Sequence, residues 1–169
     1  MRRLAQAYDW LLKAMLVVAS AYLVSTMFVI VYVTLSRTLG TKYLQSAFAY
    51  YEYSFVYIMA LGSPWLVRTR GHVFIELVTG SVSPGVRRVL SRAIALLSAL
   101  ACVLLTIFSA DLAIKDYGPP REIDVRGVDI PRWIVTASLP IGFALMAIEF
   151  ARFTVSKELM HPDKIGTFG

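Results

Sequence analysis

The chain has 169 residues, of which 57% are hydrophobic and 17% charged, and its mean hydropathy is +0.64. A soluble domain carries about 25% charged residues; here the apolar residues collect in four blocks, which excludes a separate globular domain, a disordered tail and a disulfide scaffold. The net charge of +6 comes from Lys and Arg set between those blocks, the pattern that orients membrane proteins and not a nucleic-acid surface. The fold class that follows is an all-α integral membrane protein.

The first apolar block, Ala14–Leu35, holds 22 residues without a charge. Arg2 and Arg3 before it, and Ala19-Ser20-Ala21 within it, imitate a secretory signal. The run continues far past the 7–15 apolar residues that such a signal uses, so an uncleaved first span is expected over about 11–37, in a helix from Arg3 to Arg37. The second block, Tyr43–Val67, carries Glu52 as its single charge and predicts a span over about 43–67, kinked at Pro64.

The segment Gly71–Val78 is too short to span; it is either a small amphipathic piece lying along the interface or a plain connecting loop. Ser83-Pro84 pairs an N-cap residue with proline at the first helical position. A helix from there to about Lys115 has a length of about 45 Å, more than the bilayer core requires. Its uncharged centre, Ala93–Ala110, predicts a span over about 88–112, with Cys102 as a buried packing residue. Asp111–Arg132 is acidic and contains Pro119-Pro120 and Arg126-Gly127, so it reads as a short irregular excursion. Asp129-Ile130-Pro131 marks the start of a fourth helix by the logic of Ser83-Pro84. Its apolar run, Trp133–Ile148, ends at Glu149 and predicts a span over about 131–152, kinked at Pro140.

Four spans make residues 1–169 one transmembrane domain, with long, tilted first and third helices and short interfacial segments. Eleven Lys and Arg fall in the N-terminal segment, the loop after span two and the C-terminal tail; six fall in the other two loops. The side with eleven is the cytoplasmic one, and an even number of spans puts both termini there.

The chemistry available is sparse. His72 and His161 lie outside the spans, so no axial haem ligand is offered within them, and no cluster of zinc ligands is legible. One cysteine forbids an internal disulfide. Serines in the spans lack a nearby base and serve close helix approach. No cofactor is expected in this chain, and it is not read as an enzyme. Glu52 is the exception, because an intramembrane carboxylate is a functional hypothesis by default. It is either a coupling-ion or proton site, or a structural ion pair near the outer interface, with Arg37 as its partner. Fifteen uncharged residues separate it from Arg68, about 22 Å of helix, and Tyr43, Tyr50, Tyr51 and Tyr53 around it look like an interfacial belt.

The ordered set Arg37, Glu52, Leu61-Gly62, Arg70-Gly71-His72-Val73, Pro84 with Arg87 and Arg88, Asp129-Ile130-Pro131-Arg132-Trp133 and Pro140-Ile141-Gly142-Phe143 resembles the small permease subunit of tripartite ATP-independent periplasmic (TRAP) transporters, the DctQ-like family. The resemblance runs from about Trp10 to Arg152. It departs before Glu52, where the family often has a Trp and this chain has Phe48-Ala49-Tyr50-Tyr51. It implies a bacterial inner-membrane subunit that braces the scaffold of a large (M-type) permease, which works with a periplasmic (P-type) substrate-binding protein. Uptake of an organic anion driven by sodium is implied for the system, with sodium bound in the large subunit. The candidate structural or partner-interface residues are Arg37, Glu52, Trp65, Arg70, His72 and Trp133. Trp10, Trp65 and Trp133 fall near predicted interfaces, where indole prefers to sit. The acidic third loop is a candidate contact for the binding protein. The competing hypothesis is an autonomous, dimeric, proton-coupled small transporter of multidrug type that uses Glu52.

Overall fold

The computed structural model describes residues 2–42, 46–69, 84–117 and 131–155, and these are all helical or short connections. The helices are α1 (Arg2–Thr38), α2 (Ser46–Arg68), α3 (Pro84–Lys115), α4 (Arg132–Thr136) and α5 (Ser138–Val155). Three stretches are long and apolar enough to cross a membrane: Gln6–Thr38, Val89–Lys115 and Arg132–Val155. The second helix is not among them; its first half carries Tyr50, Tyr51, Glu52 and Tyr53. Expectations for Gly71–Val78, the Ser83 cap, and the turns at Pro119-Pro120 and Arg126-Gly127 lie outside the described residues.

Each end of α1 and α3 has a local cause. At the end of α1, Gly40 adopts φ 67°, a left-handed conformation that costs glycine little. Its N–H bonds the Arg37 carbonyl at 3.2 Å and the Thr41 N–H bonds the Ser36 carbonyl at 2.9 Å. This is the Schellman arrangement, which satisfies the last orphan carbonyls. α3 begins at Pro84, and in its last turn Lys115 pairs with Asp111 at 2.6 Å. Asp111 is therefore helical rather than part of the acidic loop.

The prolines behave differently from one another. The second helix runs unbroken through Pro64. In the fourth apolar block the helix is interrupted at Ala137, three residues before Pro140, whose ring displaces the carbonyl one turn back. Ser138 Oγ bonds the Val135 carbonyl at 2.7 Å, and the Tyr57 hydroxyl donates to the Ile134 carbonyl at 3.2 Å. The neighbouring helix thus supplies a donor beside the break, as membrane helices require. The fourth block begins helically at Arg132, with Pro131 at its cap position and no side-chain cap. The helix therefore starts one residue after the proline, not on it.

The long helices pack in the order α1–α2–α5–α3. Along α1 the buried residues Leu12, Met15, Ala19, Thr26, Val33 and Ser36 recur at intervals of three, four and seven, which forms one stripe on a helix. That stripe faces α2, where a methyl group added to Gly62 would meet the Ala19 Cβ at 3.6 Å, an ordinary contact. The α2–α5 crossing is closer. A Cβ on Gly142 would lie 2.4 Å from the Ala60 carbonyl oxygen and 2.8 Å from its Cα. Ala60 is the residue whose helical hydrogen bond Pro64 deletes, so the glycine sits against a carbonyl that lacks its usual donor. On α3, Ala95, Ala99 and Cys102 form one cluster with Ala147, Phe150 and Phe153 of α5 and Val67 of α2.

Small residues at each crossing suit a lipid environment, where helices associate through close packing and not through water exclusion. Hydroxyls in the packed stripes bond back to their own helix: Thr26 to Tyr22, Ser54 to Tyr50 and Ser109 to Leu105, at 2.7, 2.7 and 2.6 Å. Burying them therefore leaves no polar hydrogen unpaired. The outward faces of α1 and α3 are apolar, with Val24, Phe28 and Val31 on one and Leu97, Leu104 and Phe108 on the other all exposed.

Candidate functional site: a buried charge cluster

α1 runs antiparallel to α2 and α5 runs parallel to it, so the start of α1, the end of α2 and the last turns of α5 meet at the same end of the row. Each contributes a charge there. Glu149 on α5 is fully buried. Its Oε1 lies 3.5 Å from Arg68 Nη1 on α2, and its Oε2 lies 3.6 Å from Arg152 Nη1, one turn further along α5. The other terminal nitrogen of Arg68 donates to Asp9 on α1. The Arg68 guanidinium also lies over the Tyr8 ring, 5.5 Å from its centroid, close enough for cation–π attraction. Two carboxylates and two guanidiniums cancel, so the cluster adds no net charge. A buried carboxylate is tolerated only when paired, and Arg68 joins α1 and α5 through α2.

The pairing is ionic rather than hydrogen-bonded at its centre. Both Glu149 oxygens, Arg68 Nη1 and the Tyr8 hydroxyl are buried without a hydrogen-bond partner among the described residues. The Tyr8 hydroxyl stands close enough to Glu149 for a loose side-chain contact of hydrogen-bond type that falls short of normal geometry. Above the cluster, Lys13 Nζ stands 6.0 Å from the centre of the Trp65 ring.

Most of the sequence-selected residues lie elsewhere. Glu52 is exposed on α2, and Arg37 is exposed in the last turn of α1. The ion pair expected between them is not among those described. Trp65 is half-buried one turn before Arg68, and Trp133 packs edge-on against Tyr117 with centroids 5.6 Å apart. Arg70 and His72 lie outside the described residues. The deeply buried carboxylate is Glu149, which the charge pattern marks only as the end of the fourth apolar run. The missed signal was the sign alternation at one end of the helices: acidic Asp9 in a basic segment, basic Arg68, then Glu149 with Arg152 three residues on. Among the described residues no group of His, Cys, Asp or Glu could hold a metal ion.

The arrangement can hold helices together; it presents no nucleophile–base pair. A second polar set spans the middle of α1 and α2, where Tyr22 and Tyr57 stack at 5.3 Å and Ser25 Oγ lies 2.7 Å from the Tyr50 hydroxyl. Both sets tie helix to helix.

Comparison with known proteins shows the family to which the chain belongs. One similar protein is the C4-dicarboxylate TRAP transporter small permease protein DctQ of Pseudomonas aeruginosa, 27% identical over 109 residues, which are 60% of this chain and 49% of that protein. The chain thus spans about half the length of the curated relative it matches. No solved structure matches it. Residues 26–158 match the family described as tripartite ATP-independent periplasmic transporters, DctQ component. With its long apolar helices and its tied helix ends, the chain belongs to that family of multi-pass inner-membrane transporter components, which are not enzymes.

Proposed function

We propose that this chain is the bracing subunit of a TRAP transporter: a four-span membrane part, α2 included, that widens and stiffens the scaffold of a separate large permease. The observation that carries this reading is the Asp9–Arg68–Glu149–Arg152 cluster. It fastens three helices at one end and offers no substrate chemistry. A transporter in which one domain slides past another needs the other held still, and tied helices with apolar outer faces suit the static role. A substrate path is lined by polar groups at broken helices near the midplane. In this reading sodium and the organic anion are bound by the large subunit and the periplasmic binding protein.

Both termini are placed in the cytoplasm, on the charge asymmetry described above, so the cluster sits at the cytoplasmic end. Arg37, Glu52 and Trp133 fall toward the outer side and serve as interface or partner-contact residues. The test is affinity purification of the tagged chain from its native membrane in mild detergent. A stoichiometric large permease is the expected companion. A self-sufficient homodimer that transports and stops doing so on Glu52→Gln would overturn the proposal in favour of an autonomous transporter. Cysteine accessibility at introduced terminal sites tests the orientation.

A further inference from the structure

We propose that Glu149, Arg68 and Tyr8 enclose an internal water site that completes the charge cluster. Four buried polar atoms meet there without a hydrogen bond of normal geometry: Oε1 and Oε2 of Glu149, Nη1 of Arg68 and the hydroxyl of Tyr8, which makes only a loose contact with Glu149. An ionised donor and acceptor in direct hydrogen bond stand about 2.7–2.9 Å apart. Here the guanidiniums stand off from the carboxylate at 3.5 and 3.6 Å. Each guanidinium is drawn away by other contacts. Arg68 spends its second nitrogen on Asp9 and its face on the Tyr8 ring, and Arg152 is half-exposed.

The composition of the site selects its occupant. Two carboxylates and two guanidiniums sum to zero, so a bound cation or anion would leave a net charge beside the fully buried Glu149, which is costly. A neutral molecule that both donates and accepts has no such cost. Water meets the requirement: it can donate to the carboxylate oxygens and accept from Arg68 Nη1 or the Tyr8 hydroxyl. Buried waters of this type make about three hydrogen bonds to otherwise unsatisfied groups. A bridging water also lets the ionic contacts stay loose without leaving Glu149 unsolvated. This inference is independent of the transporter reading, since it concerns the chain's own helices.

The experiment is a structure of the full chain in a lipid nanodisc, enlarged by a bound antibody fragment, at a resolution that shows ordered solvent. The expected result is density within hydrogen-bond distance of the Glu149 carboxylate and of Arg68 Nη1 or the Tyr8 hydroxyl. In Tyr8→Phe that density shifts or is lost while the helices keep their positions. The proposal is overturned if Arg68 and Arg152 bond Glu149 directly, the Tyr8 hydroxyl bonds its carboxylate, and no density lies between them. The unmodified chain alone decides the matter if the variant does not fold.

Discussion

Replacing Gly142 by alanine drives a methyl group into the backbone of α2. The new Cβ would stand 2.4 Å from the Ala60 oxygen, 2.8 Å from Cα and 3.0 Å from the carbonyl carbon. All three are main-chain atoms, so no side-chain rotation relieves the contact, and the two helices must separate. Overpacking of this kind costs about 1–3 kcal/mol, toward the upper end where nothing can repack. The alanine recovers about 1 kcal/mol of helix propensity, which leaves a net loss of about 2 kcal/mol. Gly62→Ala is the matched control. Its methyl would meet the Ala19 Cβ at 3.6 Å, so it gains propensity without a clash and is neutral or stabilising by up to about 1 kcal/mol. The assay is SDS-induced unfolding of each variant in mixed micelles, monitored by intrinsic Trp fluorescence. Equal midpoints for the two alanine variants would refute the claim that the α2–α5 crossing is closed backbone to backbone.

Arg68→Ala leaves Glu149 buried beside a lost partner and lowers stability by about 3–5 kcal/mol; the same unfolding titration reads it. Glu52→Gln, at an exposed position, changes stability by less than about 1 kcal/mol, and a larger loss than Glu149→Gln would reverse the ranking of the two carboxylates. Tyr57→Phe removes the donor to Ile134 and costs about 0.6 kcal/mol, the mean for interhelical hydrogen bonds in membranes, measured as a small midpoint shift. Raising salt from low to molar concentration should leave the Arg68 contribution nearly unchanged, because buried pairs are screened little; a large fall would mean that the cluster is open to bulk water.

The extent of the long helices is legible in the sequence because its signals are local. Charge-free runs set the centres, and Pro84 and Gly40 act on their own backbone. The break at Ala137 is half legible: Pro140 announces a disturbance, and the Tyr57 hydroxyl beside it is a tertiary matter. At Pro64 the helix continues, with Gly142 packed on the affected carbonyl, a contact that is again tertiary. Glu149 is the least legible residue. A charge at the end of an apolar run looks the same whether it meets solvent or is covered, and its burial depends on how closely α5 crosses α2. Glu52 attracts attention for the opposite reason. It stands among apolar residues along the chain, yet it lies on the uncovered side of its helix.

The row α1–α2–α5–α3 has a topological consequence. Four helices in a ring surround an axis, and a solute can be passed along such an axis from one opening to the other. Helices joined in a line surround nothing, because a line divides its surroundings into two sides without a lumen. Among the described residues, the long helices therefore enclose no channel of their own.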